Sequence, residues 1–443
     1  MNFNDFREQT FQTALKKGCA AAELFSVERE QFNVHILEQE LDSYSVSNTV
    51  GIGLRVQHRG KNGYAYTEVT DAPEELVRHA MENAASVEDS DDSPMQTKQE
   101  YQTVTAPENP ANQMSESDKI ETAKALERTV KAASSEVRRV AYDVMATVKT
   151  RIRISNTLGL DAERNSSNAY LYVVPVIERN GEMRDGVAFR ANDEITDIAN
   201  TAKEAVENAT GKFGASPCAP GKYRIIIKNE AMSDLLDAFS PMFSADEAHK
   251  GLSLMNGKEG EKVAADCVTI VDDPFFAKNP RAFDDEGTPS MTKNVIENGV
   301  LMTLLHNLKT AQKAGVASTS NAGRASAASP VGIAPSNFYL KSGEKSFDEL
   351  VAEMENGIII TSLEGLHAGL SAVSGDFSLL AQGKLVENGT VVRPLAQITV
   401  AGNFITMMKS VIGIANDLKF GLPGGTMVGS PSVEISELMI SGK

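Results

Sequence analysis

Zinc-dependent hydrolysis from a helix needs two imidazoles on one face with a carboxylate beside them, so the histidines come first. They are His35, His58, His79, His249, His306 and His367, and no two lie three or four residues apart. An H-E-x-x-H site therefore cannot be written. His249 has Asp246 and Glu247 close by; it reads as a surface histidine in an acidic turn, with adventitious metal binding as the alternative. Asp284-Asp285-Glu286-Gly287 has the charge for a cation, but its order reads as a turn with Gly287 at positive φ. Gly51-Ile52-Gly53 lacks the third glycine of a dinucleotide fingerprint. Gly251 to Lys258 is one residue too long for a phosphate loop, and Glu259 stands where a magnesium-binding hydroxyl is required. Cys19, Cys218 and Cys267 are odd in number and widely spaced, which suits neither a disulfide framework nor zinc. Residue chemistry alone yields no catalytic centre.

The elements that would position such residues are legible from periodicity. Phe3, Phe6, Phe11, Ala14 and Leu15 mark one helix face, and Leu76, Val77, Ala80, Met81 and Ala84 mark another after Pro73. Between them, residues 23–68 form β-type runs. A second helix–meander–helix order follows, with helices at about 116–133 and 194–209 around β-type runs from 137 to 191. Gly63-Tyr64-Ala65-Tyr66 and Gly186-Val187-Ala188-Phe189 occupy matching places, which suggests an internal duplication. Residues 88–112 are acidic and poor in large apolar groups, and read as an exposed connection. Gly211 to Lys222 reads as a linker. Beyond it come a strand at 223–227, a helix at about 229–240 and a β-rich remainder, with a long surface loop at 317–336. Asn-Gly pairs at 62–63, 180–181, 298–299 and 388–389 predict hairpin turns, whereas Asn356-Gly357 follows a helical stripe and predicts a helix end. The fold expected is α+β: residues 1–210 as sheet and helices, with a sub-division near 88–115, a linker at 211–222, and a β-rich domain over 223–443.

Composition narrows the function. The 443 residues are 41% hydrophobic and 23% charged, in the globular range and long enough for two or three domains. A formal net charge of −17 disfavours nucleic acid. The densest basic stretch, Arg138, Arg139, Lys149, Arg151 and Arg153, reads as a solvated sheet face. No secretory leader and no apolar run long enough for a membrane span is visible, so the cytoplasm is expected.

The C-terminal half carries a series of motifs: Asp272-Asp273-Pro274, Phe283 to Pro289, Ile296 to Leu301, Ser374 to Ser378, Val386 to Gly389, Ile398 to Asn403 and Gly413 to Leu418. In type, order and spacing they resemble the TldD/PmbA family, whose older label is modulator of DNA gyrase. The likeness extends over nearly the whole chain and is weaker before about residue 220. It implies a zinc-dependent peptidase built as a heterodimer, in which the TldD type carries a helical H-E-x-x-x-H motif and a late cysteine, and the PmbA type, or TldE, carries neither. Lys250-Gly251-x-Ser253 and Gly257 to Val263 resemble the segment that follows the zinc helix. Counting back from them places the zinc motif on Leu236 to Pro241, with Leu236 and Pro241 at the histidine positions and Asp237 at the glutamate position. The tail from Phe420 to Gly425 has no cysteine.

The resemblance therefore implies a non-catalytic PmbA/TldE-like subunit with no metal of its own, zinc being carried by a TldD-like partner, and an unfolded peptide as substrate. A homodimer is expected when the chain is alone. Glu247, His249 and Lys258 are the residues left as a candidate cleft. The alternatives are an active metallopeptidase with other ligands, and a stand-alone peptide-binding or scaffold protein.

Overall fold

The computed structural model describes residues 1–86, 93–105, 109–276 and 279–442. The N-terminal half begins with α1 (Phe3–Lys16), β1 (Ala21–Leu37), β2 (Glu40–His58), β3 (Lys61–Thr67) and α2 (Pro73–Ser86). It continues with α3 (Glu116–Ala133), β4 (Val137–Asn156), β5 (Asp161–Arg179), β6 (Glu182–Asp185), β7 (Ala188–Ala191) and α4 (Ile198–Thr210). The strands form one antiparallel sheet in the order β3-β2-β1-β4-β5-β6, with β7 also on β5. Each half thus runs helix, strands, helix, and the two meet where β1 pairs with β4, from Glu23↔Asn156 to His35↔Val144. Alternation in the strands turns Leu24, Ile52, Leu54 and Val56 toward α1 and α2, and Leu171, Val173 and Ile177 toward α3 and α4.

The repeat shows most sharply at two glycines. A Cβ on Gly63 would lie 2.0 Å from the Ala80 carbonyl oxygen of α2, and one on Gly186 would lie 2.1 Å from the Ala205 oxygen of α4. In each half the helix backbone rests directly on the glycine, in β3 at Gly63 and in the link between β6 and β7 at Gly186, which leaves no room for a Cβ. Gly63→Ala and Gly186→Ala are each expected to cost about 1–3 kcal/mol through overpacking, whereas Gly425→Ala, with open space around it, should be silent. Urea midpoints decide the matter, and wild-type midpoints for the first two would refute the close approach.

Asn62-Gly63 is consequently not a turn. The hairpin closes three residues earlier, at Arg59 and Gly60 with φ of 54° and 75°, because the helix contact, absent from local sequence, requires the glycine inside β3. Asn180-Gly181, Asn298-Gly299 and Asn388-Gly389 do turn hairpins, each with both residues at positive φ.

The connection read as exposed over 88–112 lies partly outside the described residues, as does the sub-division near 88–115. Its described part departs from that reading. Ser93 and Met95 are buried, Ser93 accepts from Arg55 and Asn62, and the Tyr101 hydroxyl donates to the Gly287 carbonyl at 2.8 Å. The segment is a strap tying the first domain to the last.

Asp143 on β4 is wholly buried, and neither carboxylate oxygen has a hydrogen-bond partner among the described residues. Burial, with Glu127 nearby, pushes its pKa up to about 8. The folded state therefore holds a proton that an unfolded aspartate releases near pH 4. The Asp143 contribution then weakens stability progressively as pH rises from about 4 to about 8. Asp143→Asn should raise the melting temperature at pH 8 and change it little at pH 4. Equal gains at both pH values would contradict the assignment.

After α4 the chain has no helix until β8 (Gly221–Ile227), so the last two residues of the expected linker are already strand. There follow α5 (Asn229–Phe239), α6 (Ala245–His249), β9 (Ile270–Asp272), β10 (Lys293–Glu297), β11 (Val300–Leu301), α7 (Leu308–Ala314), β12 (Ala322–Gly323), β13 (Gly332–Ile333), β14 (Asn337–Leu340) and α8 (Phe347–Met354). The chain ends with β15 (Gly357–Glu364), β16 (Asp376–Glu387), β17 (Thr390–Asn403), α9 (Phe404–Lys409), β18 (Val411–Ile414), β19 (Lys419–Phe420), β20 (Met427–Ser430) and β21 (Val433–Gly442). Strands β17-β16-β15-β8-β21 close on themselves through a β17–β21 pairing, and β11-β10-β9-β14-β20-β19 form a second sheet. The fold is α+β, as the periodicity predicts.

Two local expectations change here. Helix α8 stops at Met354, three residues before Gly357, with Glu355 at φ 58°. Gly357 instead opens β15, where a Cβ would meet the Arg224 carbonyl oxygen at 2.4 Å. The stretch 317–336 is a surface loop only in part: residues 317, 325, 326, 328 and 330 are exposed, but Thr319, Ser320, Asn321 and Ala322 are buried, with Asn321 drawn inward by buried charges.

Candidate functional site

Helix α5 carries the residues that matter most. Its buried stripe is Ala231, Met232, Leu235, Leu236 and Phe239, the spacing of a core-facing helix. Leu236 is fully buried in the main C-terminal core with Ile227, Ile358 and Phe404. Phe239 stacks on Phe404 with centroids 4.5 Å apart. Ser240 and Pro241 begin a separate 3-10 turn, since Pro241 has no N–H to continue the helix. Asp234 and Asp237 lie on the outer face. The surrounding protein raises both pKa values, that of Asp234 to about 6, with Glu230 and Asp237 contributing. A zinc ion does not fit here: of the three positions on which the resemblance places the zinc motif, Leu236 and Pro241 have no side-chain donor atom, and Leu236 is packed in the core.

Of the candidate cleft residues, Glu247 and Lys258 each have an ion-pair partner of their own. Glu247 pairs with Lys250 at 3.1 Å, and Lys258 with Glu261 at 2.9 Å. His249, at the end of α6, faces His306 instead, with ring centroids 6.3 Å apart. Burial lowers both imidazole pKa values, helped by Lys313 at His249 and by His249 at His306. Each ring has a buried Nδ1 without a partner among the described residues. His306 escaped the sequence reading because 57 residues separate it from His249, and no local pattern links them. Among the described residues no group of three or more His, Cys, Asp or Glu side chains could hold a metal.

The C-terminal motifs prove to be mutual anchors. Asp272 accepts from Lys293 Nζ (2.8 Å), Asn321 Nδ2 (2.8 Å), Ser336 N (2.6 Å) and Ser336 Oγ (2.7 Å). Asp284 accepts from the N–H groups of Glu286, Thr288 and Ala322. The turn at Gly287, φ 77°, is as expected, but its carboxylates point inward and are occupied by the protein. Asn403 Nδ2 donates to the Ser374 carbonyl and to Asp376, both at 2.9 Å. Asp417 holds Ser432 through both carboxylate oxygens, and its carbonyl accepts from Asn229 at the start of α5.

These anchors position residues 323–334 against the open face of the N-terminal sheet. Gly53 is where that segment crosses β2: a Cβ there would lie 2.1 Å from the Ala327 carbonyl oxygen. Arg324 pairs with Glu23 at 2.8 Å, and Arg164 with Asp285 at 2.5 Å. The result is a cleft of about 680 Å³ lined by Arg29, Arg164, Tyr170, Arg281, Arg324 and residues 423–426. Four arginines line it in an acidic chain, a setting for the carbonyl groups of a bound backbone. Arg151 and Arg153, beside it on β4, are held by Glu28 and Glu163. The three cysteines are free, with Cys267 exposed.

Three family models match in sequence order: PmbA/TldA metallopeptidase domain 1 over residues 22–84, the central domain over 109–213 and the C-terminal domain over 220–442. A metalloprotease of Methanothermobacter thermautotrophicus is 30% identical over 56% of this chain, an alignment that spans 57% of that protein. A metalloprotease TldD homolog of Haemophilus influenzae is 26% identical over 88% of this chain and 86% of its own. Among solved structures, a Thermotoga maritima protein described as a candidate modulator of a DNA gyrase shares 33% identity with a TM-score of 0.91, over 99% of this chain and all of that one. TldE of Thermococcus kodakarensis, at 19% identity and a TM-score of 0.87 over 99% of this chain and all of its own, shares the fold.

Proposed function

We propose, from the premise that this chain belongs to the PmbA/TldD metallopeptidase family, that it is the PmbA/TldE-like, non-catalytic subunit of a cytosolic zinc peptidase acting on unfolded peptides. The observation that carries this reading is the state of Leu236 and Pro241. Leucine and proline stand where the resemblance places the two histidines, and Leu236 is buried. A catalytic zinc takes about three protein ligands and a water, and only Asp237 is available. The chain's own contribution is then to hold peptide in the arginine-lined cleft and to complete a chamber with a TldD-like partner, which brings the zinc. Among the described residues no helix is long and apolar enough to cross a membrane, which accords with a cytosolic setting. The acidic charge speaks against nucleic acid as a ligand.

An active enzyme with other ligands would have to recruit His249 and His306, which supply two donors where three are needed. The purified chain alone is expected to hold no stoichiometric zinc and to leave unfolded peptide intact. Adding a TldD-type subunit should produce chelator-sensitive hydrolysis. Chelator-sensitive cleavage by the chain alone, abolished by His306→Ala, would establish the active enzyme instead. Peptide binding with no effect on any TldD-type subunit would favour the stand-alone scaffold.

A further inference from the structure

Three strands of the C-terminal ring lie side by side in register. Ile359 on β15 pairs with Ile226 on β8 and with Lys384 on β16. Lys228 follows directly after β8. Both lysines line a cavity of about 340 Å³ that β6 with the link after it (residues 183–187) and the last turn of α4 cover from the second domain. The volume falls at the lower end of small-molecule sites.

The charges around this cavity balance unevenly. Its three carboxylates each have a cation already: Asp185 lies 3.9 Å from Lys212, Glu207 lies 3.8 Å from Lys203, and Glu230 binds Lys419. Arg184 is paired with Glu182. Lys228 and Lys384 remain, and neither makes an ion pair or side-chain hydrogen bond among the described residues. The chain has 60 acidic and 43 basic side chains, so two unpaired ammonium groups in one half-enclosed space are not explained by a shortage of acids. Burial lowers the pKa of Lys384, and the charge of Lys228 lowers it further. The remaining walls include Val187, Ile359, Pro394 and Leu395.

We propose that this cavity binds a small amphipathic carboxylate, its head between Lys228 and Lys384 and its apolar tail against Val187, Ile359, Pro394 and Leu395. Two point charges suit a monoanion. The negative end of α4, which lines the opposite side, disfavours a dianion such as phosphate. The same chemistry is offered by a short fatty acid and by the free end of a peptide with an apolar last residue. The assignment does not depend on whether the chain is catalytic.

The test is calorimetry on the full chain with millimolar hexanoate and with N-acetyl-alanyl-leucine, each against its uncharged amide. Saturable one-site binding is expected for at least one acid, with its amide weaker by about tenfold or more. Lys228→Met and Lys384→Met should each weaken the acid by a similar factor, while exposed Lys16→Met on α1 should not. The two cavity variants should melt no lower than wild type, because each removes like-charge repulsion. Binding of the peptide acid alone would assign the peptide terminus, and binding of hexanoate alone would assign a free fatty acid; either supports the site. No saturable binding of either acid, equal binding of acid and amide, or wild-type affinity in both cavity variants would overturn it.

Discussion

Leu236→His, alone or combined with Asp237→Glu and Pro241→His, is expected to destabilise the protein and not to create a zinc site. Leu236 is fully buried beside Phe239 and the strands of the closed ring. An imidazole there loses the apolar packing of the leucine and buries a polar ring without a partner. Losing the packing of a buried leucine costs about 2–5 kcal/mol, and an unpaired buried polar group adds about 1–3 kcal/mol. The sum is a large share of the 5–15 kcal/mol typical of a folded domain. Urea denaturation should show a much lower midpoint, and metal analysis of whatever remains folded should find no zinc. A triple variant that keeps the wild-type midpoint and retains zinc would mean that position 236 faces an open cleft, and the non-catalytic reading would lose its support.

Lys293→Met is expected to have the second large effect, about 3–5 kcal/mol. Lys293 is nearly buried and Asp272 is completely so. Removing the cation leaves a carboxylate in the protein interior with Asn321, Ser336 and the charge of Arg281 to compensate. The double variant Asp272→Leu with Lys293→Met should recover much of the loss, since it removes the stranded charge. If the single variant were as stable as wild type, the pair would not be the anchor described. The pair also sets an acid limit. Burial works to raise the Asp272 pKa, but Lys293 and Arg281 hold it below the ordinary carboxylate value. Its contribution is therefore complete above about pH 4, where an unfolded aspartate ionises, and is lost as pH falls toward the lower folded value. Asp143 acts in the opposite sense at higher pH, so the two together favour a stability maximum in mildly acidic solution.

The fold was legible where local pattern and tertiary context agree. Three Asn-Gly pairs turn hairpins because their flanking strands need two residues at positive φ, a requirement visible in the dipeptide itself. The helix stripes of α1 and α2 were visible for the same reason. Failures fell where a distant segment sets the requirement. Gly63 and Gly357 are glycines because another backbone approaches them, which no neighbouring residue announces. Residues 317–336 are small and polar, the composition of a surface loop, yet Asn321 is interior because Asp272 and Lys293 supply its partners from elsewhere in the chain. The same reason hid the site. Arg29, Arg164, Arg281 and Arg324 come from four separate places, and Lys228 and Lys384 are 156 residues apart.

The seam between β1 and β4 has a consequence for the order of synthesis. In the finished protein β1 is an interior strand, covered on both sides by β2 and β4. During translation the first half is complete at α2, whereas β4 ends only at Asn156. At about 5–20 residues per second, β1 spends several seconds with a long row of unpaired N–H and C=O groups facing outward. A second nascent chain from the same message presents the same edge, and antiparallel pairing between two copies of β1 would imitate the native seam. The second half, with the same order of elements, is thus a competitor against such exchange. Because it is tethered to the first, it wins by local concentration, and slow translation between residues 86 and 137 would tip the contest toward intertwined dimers.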